Sequence, residues 1–186
     1  MCFNLDYFSL IIDICRFLII LFYIWIILTE NFSFMTLDII DKKLLKLLQS
    51  NSKQTNKELS IKLNLSVTAV YERIKKLEKE GILLKYVALL QKEKVNKNFV
   101  AFCHIKLAQH TQDYIIKFEK EVSNLVEVME CHHISGDYDY LVKVIVSDME
   151  AFREFMVNKL TSISHIGSTH SMFVINEVKH TTAINI

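Results

Sequence analysis

Three observations predict an α+β chain built from two unlike halves, the first all helical and the second ordered β-α-β-β-α-β. Apolar residues recur at helical spacing from Leu37 to Leu77. From Phe99 onward they alternate in strand fashion, with two helical stretches between the strands. The charge divides at the same place: residues 35–92 carry net +6, and residues 93–186 carry net −3.

The 186 residues are enough for two small domains with real cores. Charged residues make up 23% and aromatics 11%, which excludes a disordered chain. Pro is absent and Gly occurs three times, which excludes collagen-like and Gly-rich linker architectures. The four cysteines, Cys2, Cys15, Cys103 and Cys131, form no CxxC pair, and this favours a reducing compartment over a disulfide framework.

Residues 1–34 form a separate hydrophobic extension with one Arg against three acids, net −2. Phe17 to Thr29 runs without a charge for thirteen residues, where a membrane span needs about 20. Extending the run to residues 10–28 takes in Asp13 and Arg16, each costing about 2.5–3.5 kcal/mol at mid-bilayer. There is no basic start and no small-residue cleavage site, so a signal peptide does not fit. The expected reading is translation from Met35. The alternatives are a membrane anchor at residues 10–28 and a buried or partner-binding helix.

In the basic half, Leu37, Ile40, Leu44, Leu45, Leu47 and Leu48 predict a first helix with Asp38, Asp41, Lys42 and Lys43 on its polar face, ending near Ser50. Thr55 and Glu58 form a capping box that opens a second helix, with Leu59 and Leu63 inward. Asn64 then supplies a left-handed turn. Ser66 caps a third helix with Val70, Ile74 and Leu77 inward, and Gly81 closes it. Two short helices joined by about three residues make a helix-turn-helix. The exposed face of its last helix would bring Ser66, Thr68, Tyr71, Glu72 and Lys75 to base edges or phosphates. Arg73 and Lys76 would mainly neutralise phosphate. The partner implied is double-stranded DNA.

Ile82 to Leu90 reads as a linking strand within a hinge at residues 82–98. The acidic half, residues 99–180, begins with a strand placing Phe99, Ala101, Cys103, Ile105 and Leu107 on one face and His104 and Lys106 on the other. A helix from Thr111 to Val122 follows, inward through Ile115, Phe118 and Val122. Strands at about Val126 to Ile134 and Tyr140 to Val146 flank a turn at Ser135, Gly136 and Asp137. Ser147 to Glu150 reads as a second capping box, opening a helix with Met149, Phe152, Met156 and Leu160 inward. Met172 to Val178 reads as the last strand. The order is that of a ferredoxin-like sheet.

Several stretches carry a resemblance: Leu37-Asp38 with Asp41, Asn56 to Leu59, Leu65-Ser66 with Ala69-Val70, Arg73-Ile74 with Leu77-Glu78, Glu80-Gly81-Ile82, and Ser135 to Leu141. In these the chain resembles the leucine-responsive/asparagine-synthase-regulator (Lrp/AsnC) family from Met35 to about Lys179. The resemblance implies a winged-type helix-turn-helix domain at residues 35–81. It also implies a C-terminal regulator-of-amino-acid-metabolism (RAM) domain that dimerises sheet to sheet, joins higher-order homo-oligomers and binds a small amino-acid effector.

The effector residues it implies are Gly136, Asp137, Tyr138, Asp139, Thr169 and Ser171. The residues agree: Gly136 lets a ligand approach bare backbone, and Asp137 or Asp139 would take an ammonium group. The chain departs from the family at Ser164-His165, where a Pro-Gly is usual. A cytoplasmic, non-enzymatic regulator with no cofactor beyond the effector is expected. Walker, GxGxxG, HExxH and nucleophile-elbow motifs are lacking. Cys131 and His133 share a strand face, but two ligands fall short of a zinc site. A membrane-tethered ligand sensor is the alternative function.

Overall fold

The structure, a computed structural model, describes residues 37–186. It divides into two compact units: residues 37–84 together with 183–186, and residues 85–182.

The first unit holds α1 (Ile39–Ser50), α2 (Asn56–Leu63) and α3 (Val67–Lys79). Leu44, Leu45, Leu48, Leu59, Val70 and Leu77 form its core. Each fully buried aliphatic side chain contributes roughly 1.5–3 kcal/mol. The caps occur where the residues demand them. The Asp38 carboxylate accepts the Asp41 N–H at 2.6 Å. Thr55 and Glu58 form the reciprocal box, at 3.2 Å and 2.7 Å. Ser66 Oγ accepts the Ala69 N–H at 3.1 Å. Asn64 takes φ 54° and Gly81 φ 70°, the left-handed closures expected of them. Asp41 departs from its expected polar face, being buried beneath Arg73.

The second unit is one antiparallel sheet, β1 (Phe99–Leu107), β2 (Val128–His133), β3 (Tyr140–Val146) and β4 (Ile166–Phe173), in the order β2-β3-β1-β4. The helices are α4 (Gln112–Val122) and α5 (Met149–Phe155), the latter continued by a π-helical turn, Met156–Leu160. Phe118, Val122, Phe152, Phe155 and Leu160 pack with Ala101, Cys103, Ile105, Tyr140, Val142 and Val144, so both helices cover one face. Phe99 and Phe173 flank Phe152, with centroids 5.6 Å and 5.3 Å from it.

Four sequence expectations are corrected. Ile82 to Leu90 is not a strand: the Ile82 and Leu83 N–H groups donate to the Leu77 carbonyl at the end of α3, at 3.0 Å and 3.1 Å, and Leu84, Leu89 and Leu90 remain exposed. The last strand is Ile166–Phe173 rather than Met172 to Val178. Its register against β1 pairs Ile105 with Thr169 and Ala101 with Phe173, and Ile175 beyond it is fully exposed. The α5 cap is Asp148, whose carboxylate accepts the Ala151 N–H at 2.9 Å, one residue later than Ser147. That shift turns Met149 outward and brings Phe155 inward.

Candidate nucleic-acid interface and effector turn

Along α3, Thr68, Tyr71, Glu72, Lys75 and Lys76 are all exposed. Positions three, four, seven and eight apart lie on one side of a helix, so these side chains form a single surface. Lys75 Nζ lies 2.9 Å from Glu78 and 5.9 Å from the Tyr71 ring centre. The Ser66 hydroxyl serves as the helix cap, which leaves it beside this surface as a fixed anchor.

Arg73 is engaged within its own unit. Its Nη1 donates to Asp38 at 2.7 Å and to Asp41 at 2.6 Å, joining α3 to the start of α1. The Asp41 N–H, with Arg73, holds the Asp38 carboxyl below its usual range, and the two carboxylates raise the guanidinium. An ion pair with a buried carboxylate is a structural clamp. The signal was present in Asp38 and Asp41, which read equally well as dipole-favoured surface acids.

In the second unit, the loop between β2 and β3 carries the effector candidates. Gly136 takes φ 123°, which L side chains rarely adopt, and the space where a Cβ would sit is open. Asp137 is exposed. Asp139 is engaged: one carboxylate oxygen accepts the Leu107 N–H at 2.7 Å, and the other lies 2.6 Å from His110 Nε2. Burial pushes the Asp139 carboxyl up, but the Leu107 N–H and His110 outweigh it and hold it below the ordinary value. Its backbone N–H donates to Ile105 O at 2.9 Å. Asp139 therefore pins the loop to β1. Nothing in the sequence near Asp139 indicated His110, because the contact is 29 residues away.

Tyr138 packs on His104, with ring centres 5.0 Å apart. Thr169 pairs in register with Ile105, which also faces Tyr140, so it lies in the row next to the loop on the helix-covered face. Ser171 lies one row further along, 3.5 Å from Cys103 Sγ. Cys103 and Cys131 belong to the core, where burial pushes both thiols up, Cys131 to about 11. His133 stacks on Tyr140. At the departure from the family pattern, His165 takes φ 73° in place of glycine. Its ring stacks on Tyr114 at 3.6 Å, and its carbonyl accepts the Ala108 N–H.

A basic helix-turn-helix joined to a ferredoxin-like unit with an open-backbone loop defines a DNA-binding regulator. Comparisons with known proteins agree. Residues 37–83 match the family model described as winged helix-turn-helix DNA-binding, and residues 100–184 match the Lrp/AsnC ligand binding domain. The leucine-responsive regulatory protein of Haemophilus influenzae is 39% identical over 145 residues, 78% of this chain and 87% of that protein. The DNA-binding transcriptional activator DecR of Escherichia coli K12 is 36% identical over 150 residues, 81% of this chain and 99% of DecR. A transcriptional regulator from Neisseria meningitidis, crystallised with L-Met, superposes with TM-score 0.76 at 38% identity, covering 80% of this chain and 96% of that one.

The chain belongs to the Lrp/AsnC family of DNA-binding transcriptional regulators, which are not enzymes. Among the described residues no helix is long and apolar enough to cross a membrane, and the alternative anchor at residues 10–28 lies outside them.

Proposed function

We propose that this regulator binds a free amino acid at the loop from Ser135 to Asp139 and that binding alters its assembly and hence its occupancy of DNA. The carrying observation is Gly136 at φ 123° with open space beside it, in a loop that Asp139 holds rigidly against β1. A free amino acid needs N–H donors and a carboxylate close together. The bare backbone at Gly136 supplies the first and exposed Asp137 the second, with Tyr138 next along the loop, packed on His104. Asp139 then acts as a positioning residue, and Ser171 lies one row beyond Thr169 on the same sheet face, against Cys103. The L-Met complex of the Neisseria relative supports an amino acid as the ligand class.

The assembly unit in this reading is a homodimer, formed sheet to sheet and extended to higher order. Its support is the sheet face that the helices leave uncovered. A groove of about 520 Å³ there is lined by Leu89, Leu90, Val95, Met129 and Ile145 among others. The DNA contacts are assigned to Thr68, Tyr71, Glu72, Lys75 and Lys76, anchored at Ser66. The domain limits follow: DNA-binding at residues 35–81, a hinge at 82–98, and sensing and dimerisation at 99–180. The chain works in the cytoplasm.

Calorimetry of the full chain against the proteinogenic amino acids tests the reading. At least one should bind, and at 100 times its dissociation constant should stabilise the protein by about 2.7 kcal/mol. A folded, DNA-competent protein that binds none of them would overturn it.

A further inference from the structure

Residues 183–186 belong to the DNA-binding unit, although the whole effector-binding unit separates them from it in sequence. Their attachment is specific. Gln49, in the last turn of α1, donates from Nε2 to the Ile184 carbonyl at 3.0 Å, and its Oε1 accepts the Ile184 N–H at 2.6 Å. A primary carboxamide carries a donor and an acceptor in one plane, so it meets both backbone groups of one residue as a neighbouring strand would. Two residues on, Ile186 packs against the cluster of Leu44, Leu45, Leu48 and Leu59. Lys46, Gln49 and Ser50 border a groove of about 360 Å³ along the segment. The backbone is held by a side chain and the register is set by one apolar anchor, which are the elements of a peptide-docking site.

We propose that the Gln49 surface of α1 is a docking site for an extended peptide and that its occupant is this chain's own segment 183–186. The chain leaves the DNA-binding unit at Leu84 and returns at Ala183, so an occupied site joins the two units by two connections instead of one. A second connection restricts the orientations open to the DNA-binding unit. Restriction before binding lowers the ordering cost of docking on an operator. The occupied site should therefore raise operator affinity, independently of any amino-acid effect. Because the segment is tethered, its effective concentration is roughly millimolar, enough for a weak site to stay filled.

Hydrogen exchange and operator titration on the full chain test this without added amino acid. The Ile184 amide should exchange at least tenfold more slowly than in a synthetic peptide of residues 181–186. Gln49→Met, which keeps helix propensity and loses both hydrogen bonds, should restore the free rate. Gln49→Met and a chain ending at Thr182 should each bind the operator several-fold more weakly while melting cooperatively. Millimolar peptide should bind the shortened chain, and not the shortened chain that also carries Gln49→Met, yet leave operator affinity low, because an untethered peptide makes no second connection. Ile184 exchange at the free-peptide rate in the unaltered protein, or protection that survives Gln49→Met, would overturn the site. Operator affinity unchanged by both alterations would overturn the tie.

Discussion

Single residues in this regulator carry roles that their type alone does not announce. Arg73 is the clearest. A guanidinium paired with buried Asp41 and with Asp38 ties α3 to the start of α1, and its removal strands a buried carboxylate. Arg73→Ala should cost about 2 kcal/mol, measured by urea unfolding, a figure set below that for fully buried pairs because Arg73 is partly exposed. At temperatures where it stays folded, its operator affinity should keep the unaltered salt slope, whereas Lys76→Ala should lower that slope by about 1. Asp38 has a folded-state pKa below its ordinary 3.8, so its contribution is present above that value and lost as pH falls through the lower one. Acid unfolding should move to higher pH in Arg73→Ala.

His165 shows a similar effect in the backbone. A non-glycine residue at φ 73° is strained, and the stack on Tyr114 offsets that strain. His165→Gly should remain within about 1 kcal/mol of the unaltered protein, and His165→Val should lose roughly 2–3 kcal/mol, both read by thermal melting.

At the scale of elements, the sites proposed on α3 and on the β2–β3 loop each rest on a hydrogen-bonded base. The α3 surface is organised by its caps and its buried stripe of Val70 and Leu77. Thr68→Ala or Tyr71→Ala should change which operator is selected from a random pool, while Lys75→Ala weakens all sequences alike. Identical selection by all three variants would place another element in the groove.

The loop behaves differently. Gly136 has room for a Cβ, so the obstacle to a side chain there is its φ of 123°. Gly136→Ala should cost about 1–3 kcal/mol through the backbone and abolish amino-acid stabilisation, with operator binding retained. Asp139→Asn should loosen the loop by weakening its hold on Leu107 and His110, and should lower amino-acid affinity without abolishing it. Calorimetry reads both.

At the scale of the molecule, the uncovered sheet face and the irregular stretch at 85–91 leave Val87, Leu89, Leu90 and Met129 exposed. That much apolar surface on one unit fits a second copy. Ile145→Asp, on the uncovered face, should shift sedimentation from dimer or larger to monomer while the helix-covered core, which it does not touch, keeps the fold. A sedimentation profile unchanged by that substitution would put the assembly contact elsewhere.

The helices, the caps of the first unit and the face of β1 were legible in the residues because they rest on local rules. Thr55 with Glu58, Asn64, Ser66 and Gly81 need only neighbours within four positions. The alternation from Phe99 to Leu107 needs only the pleat of a strand. The family was legible for the same reason, since its motifs are local patterns. Where an element's limits depended on a distant partner, the pattern was insufficient. Ile82 to Leu90 has strand-forming residues but joins no sheet among the described residues, and the last strand is placed by its register with β1 rather than by its own apolar run. The roles of Arg73, Asp139 and Gln49 depend on contacts 32, 29 and 135 residues away. A charge or an amide reads as surface until folding brings its partner to it, and only the tertiary structure makes that assignment.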